Sequence, residues 1–435
     1  MKKSLQIIVA ICLIMLTPLN VLAQVDNEAT YDIATNAIPD WPKGPKIKAN
    51  TGVLIEMETA EVLYDKGMNE ARYPASITKV LTALVAIENS TPDEEVTFTA
   101  SALEGMYLGA NIGMQEGEIL TMEQCLIILI MKSANEVANQ IAEHVGGSRE
   151  GFAKMMNDKA TEIGCQNSNF TNPSGMPDEN HYSTAYDMAL IFREAWKNER
   201  FRALYDISDY TIPPTNKNPE ARYIIYNHLL FAAQASEEQR YEGSVGGKTG
   251  ATDLGGSTLV TAVQRKKGNY IAVVMRAGDH LICCEDTKKL FNYGYKKFQK
   301  INAEEGPLVA PKDFQEANLE IQVADIDGSD LVAKTYSYNG YLLGTMEGER
   351  PVPTESPATP TVTLEEPEAG NGSDHSDEVA EVVPELENVS KVSSLRGKII
   401  AVLVTLIAVG LIFVIIGTTK NKKRKKNKKN KKRKK

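Results

Sequence analysis

Tyr73-Pro-Ala-Ser-Ile-Thr-Lys79 is the segment that says most about the fold of this chain. Ser76 and Lys79 stand three positions apart, so on a helix both side chains project from one face within hydrogen-bonding reach. The apolar spacing over residues 77–85 predicts such a helix, and Pro74 is tolerated at its start. A serine nucleophile needs a base, and a lysine serves when burial or a neighbouring cation lowers its pKa. Taken alone, the pattern fits a solvated helix start equally well.

Two further patterns place polar groups at the ends of predicted elements. Ser133-Ala-Asn135 follows the apolar run Met122–Met131, which predicts a buried helix whose polar end faces a cap or a cavity. Lys248-Thr-Gly250 follows Gly246-Gly247, so that an amine and a hydroxyl could approach a ligand from a strand edge. Each pattern is weak alone, since Ser337-Tyr-Asn339 matches the first by accident and a glycine-rich turn explains the second.

The order of the three patterns is more specific than any one of them. SxxK, SxN and KTG follow one another at separations of 57 and 115 residues. In this order they form the signature of penicillin-recognising serine enzymes.

Longer segments around these motifs carry a resemblance to one family. They are Tyr73–Lys79, Met131–Asn135, Phe170–Gly175, His181–Asp187 and Gly247–Gly250. Together they resemble the low-molecular-mass penicillin-binding proteins that act as serine-type D-Ala-D-Ala carboxypeptidases. The resemblance runs from about Ala29 to Phe298, and the block that begins at His181 distinguishes this family from the class A β-lactamases.

The resemblance implies a fold and a set of roles. The fold is α/β (α+β), a penicillin-recognising serine transpeptidase/β-lactamase-like fold with an antiparallel sheet flanked by helices. The implied catalytic residues are Ser76, Lys79 and Ser133. The implied substrate-binding residues are Asn135, Lys248, Thr249, Gly250 and Ala251, and the backbone N–H groups of Ser76 and Ala251 would form the oxyanion hole. Ala251 stands where the family usually has a bulky residue. No metal and no cofactor is expected, and His181 is expected to be a structural loop residue.

The hydrophobic pattern predicts an antiparallel sheet assembled from distant segments. The predicted strands are Val53–Glu58, Val62–Tyr64, Thr258–Gln264 and Tyr270–Met275, the last two joined by a turn at Lys266–Asn269. Besides the helix after Ser76 and the helix at Met122–Met131, amphipathic spacing predicts helices at Ser183–Lys197 and Lys288–Phe298.

The charge of the chain is divided between oppositely charged parts. The 48 basic and 57 acidic residues give a net charge of -9, but 13 Lys or Arg and no acid lie between Lys420 and Lys435. Between Gln24 and Gly397, 32 basic residues stand against all 57 acids, a formal charge of -25. Nucleic acid is therefore excluded as a partner of this part, because a basic surface supplies most of such affinity.

The two ends of the chain resemble targeting segments. Residues 1–23 predict a signal peptide, with Lys2 and Lys3 before an apolar stretch and small residues before a cleavage point. Residues 398–418 predict one C-terminal transmembrane helix, because 19 uncharged residues at about 1.5 Å each approach the thickness of the hydrocarbon core. The basic tail 419–435 would stay in the cytoplasm on anionic lipid, which places the catalytic part outside the membrane.

The part between these ends divides by composition. We expect a catalytic domain at 29–300 and a short β-rich appendage at 301–349, with three strands at Leu319–Val323, Val332–Tyr338 and Tyr341–Thr345. Residues 350–397 are rich in Pro, Glu, Ser and Thr and predict a disordered acidic stalk. The four exported cysteines leave disulfide pairing open, although the apolar run around Cys125 favours a buried free thiol.

These observations lead to one leading hypothesis for function. It is a single-pass membrane enzyme of cell wall biogenesis that trims peptidoglycan stem peptides and is acylated by β-lactam antibiotics. A β-lactamase, a peptidoglycan endopeptidase and a non-catalytic penicillin-binding sensor remain as alternatives.

Overall fold

The structure is a computed structural model that describes residues 25–26, 28–105, 109–226, 228, 230, 236–237, 240–326 and 328–350. The predicted signal peptide (1–23), transmembrane helix (398–418) and basic tail (419–435) lie outside these residues, as does the predicted stalk beyond Arg350. Within the described residues, no helix combines the length and the apolar character needed to cross a bilayer.

A five-stranded antiparallel sheet forms the centre of the described part. Its strands are β1 (Thr51–Glu56), β2 (Val62–Lys66), β7 (Ser244–Thr252), β8 (Gly256–Arg265) and β9 (Gly268–Ala277). Their order across the sheet is β2-β1-β9-β8-β7. β1 pairs with β9 in the register Leu54↔Ala272, which joins the first strand to segments more than 200 residues away. The prediction of one antiparallel sheet built from distant segments is confirmed.

The sheet is buried on both faces, and its strands are therefore nearly continuous runs of apolar residues in the sequence. Val53 and Ile55 face a core made with the helices, whereas Leu54 between them faces a second core on the other side. This alternation follows from the two-residue period of a strand. The helices are α1 (Lys79–Glu88), α2 (Met122–Lys132), α3 (Asn135–Gly146), α4 (Arg149–Ile163), α5 (Ala185–Lys197), α6 (Glu199–Ala203) and α7 (His280–Lys297).

The second core joins α7 to the C-terminal strands. Leu290 and Phe291 of α7 share it with Leu308, Tyr336 and Leu343. The C-terminal strands are β10 (Phe298–Ala303), β11 (Gly306–Pro311), β12 (Leu319–Asp325), β13 (Val332–Tyr338) and β14 (Tyr341–Gly348). The last three form one antiparallel sheet at the predicted positions, and the β10–β11 hairpin was not predicted. The predicted boundary at residue 300 falls inside β10.

One helix differs from its prediction in extent, and the structure decides between the two interpretations of the Lys248 segment. The helix predicted at Lys288–Phe298 begins at His280, because Asp279 caps it by accepting from the backbone N–H of Ile282 at 2.8 Å. The segment around Lys248, for which a strand edge and a glycine-rich turn were both open, is the edge strand β7. The remaining strands form two small sheets, which are β3 (Glu95–Thr97) with β4 (Ile119–Thr121) and β5 (Asp209–Ile212) with β6 (Arg222–Ile225).

Candidate active site

Ser76 lies in a short 3-10 turn, Ala75–Thr78, directly before α1. The turn is held from two sides. On one side, Thr258 Oγ1 of β8 donates to the carbonyl of Pro74 at 2.8 Å. On the other side, Gly175 packs so closely against the turn that a Cβ on it would lie 1.9 Å from the carbonyl oxygen of Ala75. Ala75 has a φ of 52°, a left-handed conformation that a non-glycine residue adopts only when its surroundings enforce it. The backbone of the predicted nucleophile is therefore fixed by the fold.

Lys79 is the first residue of α1 and is fully buried. Its Nζ donates three hydrogen bonds, to Ser76 Oγ at 3.0 Å, to Asn135 Oδ1 at 2.8 Å and to the carbonyl of Ser174 at 2.6 Å. Burial, and then the charge of Lys248, lower the pKa of Lys79 well below its ordinary value of 10.5, while Glu136 acts in the opposite direction. An amine with a lowered pKa beside a hydroxyl is suited to accept its proton.

The Ser133-Ala-Asn135 motif lies between two helices. Ser133 ends α2 with a φ of 58°, and Asn135 is the first residue of α3. This break directs the two side chains to different partners, since Asn135 accepts from Lys79 and Ser133 Oγ accepts from Lys248 Nζ at 2.9 Å.

Lys248 projects from the edge strand β7 and is almost fully buried. Its Nζ also donates to the carbonyl of Thr249 at 2.9 Å. Burial lowers the pKa of Lys248 to about 7. Gly250 lies against the turn of the nucleophile, where a Cβ would come within 2.8 Å of the Ser76 backbone nitrogen, and Ala251 pairs with Ser257 of β8.

The predicted site residues therefore meet at one place. Ser76, Lys79 and Asn135 form one hydrogen-bonded group, and Ser133 and Lys248 form a second. The charge of Lys248 acts on Lys79, which couples the two groups electrostatically. The arrangement can activate a hydroxyl, pass a proton to a leaving group and hold an anion. Among the described residues, no cluster of three or more His, Cys, Asp or Glu side chains could hold a metal ion.

The family model described as D-alanyl-D-alanine carboxypeptidase matches residues 38–279, which is more than half of the chain. The chain belongs to the D-alanyl-D-alanine carboxypeptidase family. The predicted family and enzyme class, a serine peptidase, are thereby confirmed.

Individual members of the family show the extent of the likeness. D-alanyl-D-alanine carboxypeptidase DacF of Bacillus subtilis is 33% identical over 263 residues, and the match covers 58% of this chain and 63% of DacF. The chain thus spans less than two thirds of the length of that relative. A crystal structure of D-alanyl-D-alanine carboxypeptidase from Mycobacterium tuberculosis matches with a TM-score of 0.53 and 26% identity, covering 61% of this chain and 97% of that one. The Streptomyces K15 DD-transpeptidase matches with a TM-score of 0.53 and 26% identity, covering 58% of this chain and 99% of that one.

The loop formed by residues 172–176 also reaches the site, and the sequence did not predict this. The carbonyl of Ser174 is a hydrogen-bond acceptor for Lys79, and Asn172 holds this loop in place. Asn172 Oδ1 accepts from the backbone N–H groups of Ser174, Gly175 and Met176 and from Ser174 Oγ. The turn chemistry of Asn172-Pro-Ser-Gly175 was the available signal, since Asn and Gly favour such loops.

His181 is buried behind this loop in the carboxypeptidase fold. The backbone N–H of Thr171 donates to His181 Nδ1 at 3.1 Å, so Nε2 carries the proton in the neutral ring and donates to Thr78 Oγ1 at 3.0 Å. Burial lowers the pKa of His181 to about 4. A neutral ring whose two nitrogens are both occupied fits a structural role.

Proposed function

We propose that this protein is a serine carboxypeptidase that removes the terminal D-Ala from peptidoglycan stem pentapeptides through an acyl-enzyme on Ser76. Membership of the D-alanyl-D-alanine carboxypeptidase family supports this activity. The observation that carries the mechanism is the 3.0 Å contact between Lys79 Nζ and Ser76 Oγ, made by a lysine that is fully buried.

Acylation begins at Ser76. Its Oγ attacks the carbonyl carbon of the penultimate D-Ala and forms an ester bond, while its proton passes to the neutral amine of Lys79. The positive charge of Lys248 helps to keep that amine neutral. The C–N bond to the terminal D-Ala then breaks, and the departing amine receives a proton through Ser133. Water hydrolyses the ester, which frees the shortened peptide and returns a proton to Ser76.

The remaining site residues hold the substrate during these steps. Lys248 and Thr249 bind the terminal carboxylate, and Asn135 holds a substrate amide. The backbone N–H groups of Ser76 and Ala251 stabilise the oxyanion, a contribution often worth about 3 kcal/mol. Gly250 lets β7 approach the turn of Ser76, since the space for a side chain is filled by Thr258 Oγ1 and by the backbone nitrogens of Ser76 and Ile77. A β-lactam would acylate Ser76 in the same way, but its amine stays attached, so the acyl-enzyme persists.

The decisive experiment incubates the full chain with a stem pentapeptide and measures free D-Ala, with the Ser76→Ala variant as control. We expect D-Ala release and covalent penicillin labelling from the wild type alone. If the wild type shows neither, the enzymatic function is wrong, and a non-catalytic role takes its place. Rapid turnover of a chromogenic β-lactam would favour a β-lactamase instead, and cleavage of cross-linked dimers would favour an endopeptidase.

Transpeptidation is a second candidate function, favoured by the match to a protein named a DD-transpeptidase. The acyl-enzyme would then be resolved by an amine in place of water. The same assay tests it when an acceptor amine is added, since a new peptide product would appear at the expense of the hydrolysed one.

We also propose that the protein is anchored in the cell membrane with its catalytic part outside. The support is the sequence alone: a signal-like segment at 1–23, an uncharged stretch within 398–418 and a basic tail at 419–435. The acidic segment 350–397 would be a stalk between the enzyme and the bilayer.

A further inference from the structure

Glu136 is a buried acid beside the predicted active site that the mechanism above does not use. It follows Asn135 in the first turn of α3 and is fully buried. Its Oε1 accepts from the backbone N–H of Ile112 at 2.7 Å. Its Oε2 is also buried and has no hydrogen-bond partner among the described residues.

An acid at this position needs an explanation. Burying a carboxylate is costly unless other groups stabilise the charge. Burial raises the pKa of Glu136, and the backbone N–H groups of residues 112–114 and of Glu136 itself oppose that rise. A glutamine would accept the same bond from Ile112 without carrying a charge. The bond to Ile112 alone therefore does not account for the acid.

The segment that Glu136 holds, residues 109–114, lies against Asn135. The backbone N–H of Asn135 donates to the carbonyl of Ala110 at 2.8 Å. A Cβ at Gly109 would come within 2.9 Å of Asn135 Nδ2, so this segment also limits where the amide can turn. Since Asn135 Oδ1 accepts from Lys79, a continuous set of contacts leads from Glu136 to the lysine.

The negative charge of Glu136 also acts electrostatically on Lys79. Burial and Lys248 of β7 lower the pKa of Lys79, and the negative charge of Glu136 raises it. His181 also faces Lys79, but its lowered pKa leaves it neutral near pH 7. On its outer side Glu136 borders a pocket of 310 Å³ whose charged lining residues are Glu104, Arg149 and Asp178.

We infer that Glu136 is a positioning residue for the reaction of Ser76, which fixes Asn135 through residues 109–114 and supplies a negative charge that acts on Lys79. The inference rests on the proposed function, because it assigns Glu136 a part in the acylation of Ser76. Among the described residues, the carboxylate of Glu136 makes no hydrogen bond to Ser76, so its part is indirect.

Two substitutions in the full chain separate the two contributions. Glu136→Gln keeps an acceptor for Ile112 and removes the charge, whereas Glu136→Ala removes both. Glu61→Gln is the matched control, since Glu61 is also buried, has both carboxyl oxygens without a hydrogen-bond partner among the described residues, and lies on the β1–β2 hairpin. The readout is the second-order rate of acylation by a fluorescent penicillin as a function of pH, with the unfolding temperature of each variant measured alongside.

The expected result is a shift in the acid limb of the pH profile. Acylation needs neutral Lys79, so it rises with pH through the pKa of that lysine. Removing the negative charge of Glu136 lowers this pKa, and the acid limb of Glu136→Gln should move to lower pH by about one unit. Glu136→Ala should show the same shift and, in addition, a plateau rate about 10-fold lower, because Asn135 is no longer fixed. Glu61→Gln should match the wild type.

The results that would contradict this inference differ from those that would refute the proposed function. An acid limb of Glu136→Gln that coincides with the wild type would overturn the inference, even if both Glu136 variants unfold at lower temperature, because stability alone does not move the limb. A wild type that penicillin labels without D-Ala release would refute the carboxypeptidase activity and leave this test intact. A wild type that penicillin does not label would refute the acyl-enzyme and this inference together.

Discussion

At the scale of single residues, Lys248 is a buried amine whose charge depends on pH near neutrality. Burial lowers its pKa to about 7, and its Nζ donates to Ser133 and to a backbone carbonyl. Its two proposed tasks, binding a carboxylate and opposing the charge of Lys79, both require the protonated form. The pH dependence of substrate binding should therefore report on this one residue.

We predict that kcat/KM for a pentapeptide falls as pH rises through about 7 in the wild type. The sign follows from the amine, which loses its positive charge above its pKa and no longer attracts the carboxylate. In Lys248→Arg this alkaline limb should disappear, because a guanidinium stays protonated. A substrate with an amidated C-terminus serves as the control and should show no such limb with the wild type. An alkaline limb that persists in Lys248→Arg would assign it to another group.

The sequence predicted some site residues and missed others for physical reasons. Ser76, Lys79 and Ser133 could be proposed from the sequence because their side chains belong to short motifs that follow one another in a characteristic order. Ser174 contributes its backbone carbonyl, which any residue possesses, so no side-chain pattern marks it. Glu136 was not singled out from the sequence because its proposed role depends on residues 109–114, which only the folded chain brings to it.

At the scale of elements, the strands predicted best are those whose apolar pattern and turns are local. β8 and β9 are an example, joined by a turn near Lys266–Asn269. The bounds of β7 were not predicted, because its glycines fit a turn as well as a strand edge. The structure gives the reason for two of them, since a Cβ at Gly246 would lie 2.4 Å from the Trp196 ring and one at Gly247 would lie 2.4 Å from the Val260 carbonyl. These tertiary contacts leave no trace in the local pattern.

The contact between β7 and the nucleophile turn gives a prediction about Gly250. A methyl group there would meet Thr258 Oγ1 at 2.5 Å and the Ser76 backbone nitrogen at 2.8 Å, so either β7 or the turn must move. We expect Gly250→Ala to slow penicillin acylation by about 10²-fold, because a displacement of about 1 Å at a reacting group has an effect of that size.

The control for Gly250→Ala is Gly278→Ala at the end of the same sheet, where the nearest atom to a new Cβ is Ile282 Cδ1 at 3.4 Å. Its acylation rate should equal that of the wild type. Stopped-flow labelling gives the rates, and calorimetry gives the unfolding temperatures. Wild-type acylation in Gly250→Ala would show that the close approach of β7 is not required.

At the scale of the whole molecule, the net charge of -9 describes neither of the two oppositely charged parts of the chain. The stretch from Gln24 to Gly397 carries -25, whereas 13 basic residues and no acid lie between Lys420 and Lys435. The positive-inside rule predicts such an asymmetry for a chain anchored once near its C-terminus. Within the acidic stretch, the proposed charge for a carboxylate substrate is that of one buried lysine, Lys248, so the overall charge does not predict the charge of the site.

The proposed topology is tested by shortening the chain from its C-terminal end. A chain that ends at Gly397 should leave the membrane fraction, because it lacks the uncharged stretch of 19 residues that spans about 28 Å as a helix. A chain that ends at Thr418 keeps that stretch and loses the basic tail, so it should remain with the membrane and serve as the control. Both should be labelled by penicillin at the wild-type rate, since the site residues lie between Ser76 and Ala251. If the chain that ends at Gly397 still sediments with membranes, then the anchor lies elsewhere, and the uncharged stretch has to be assigned another role.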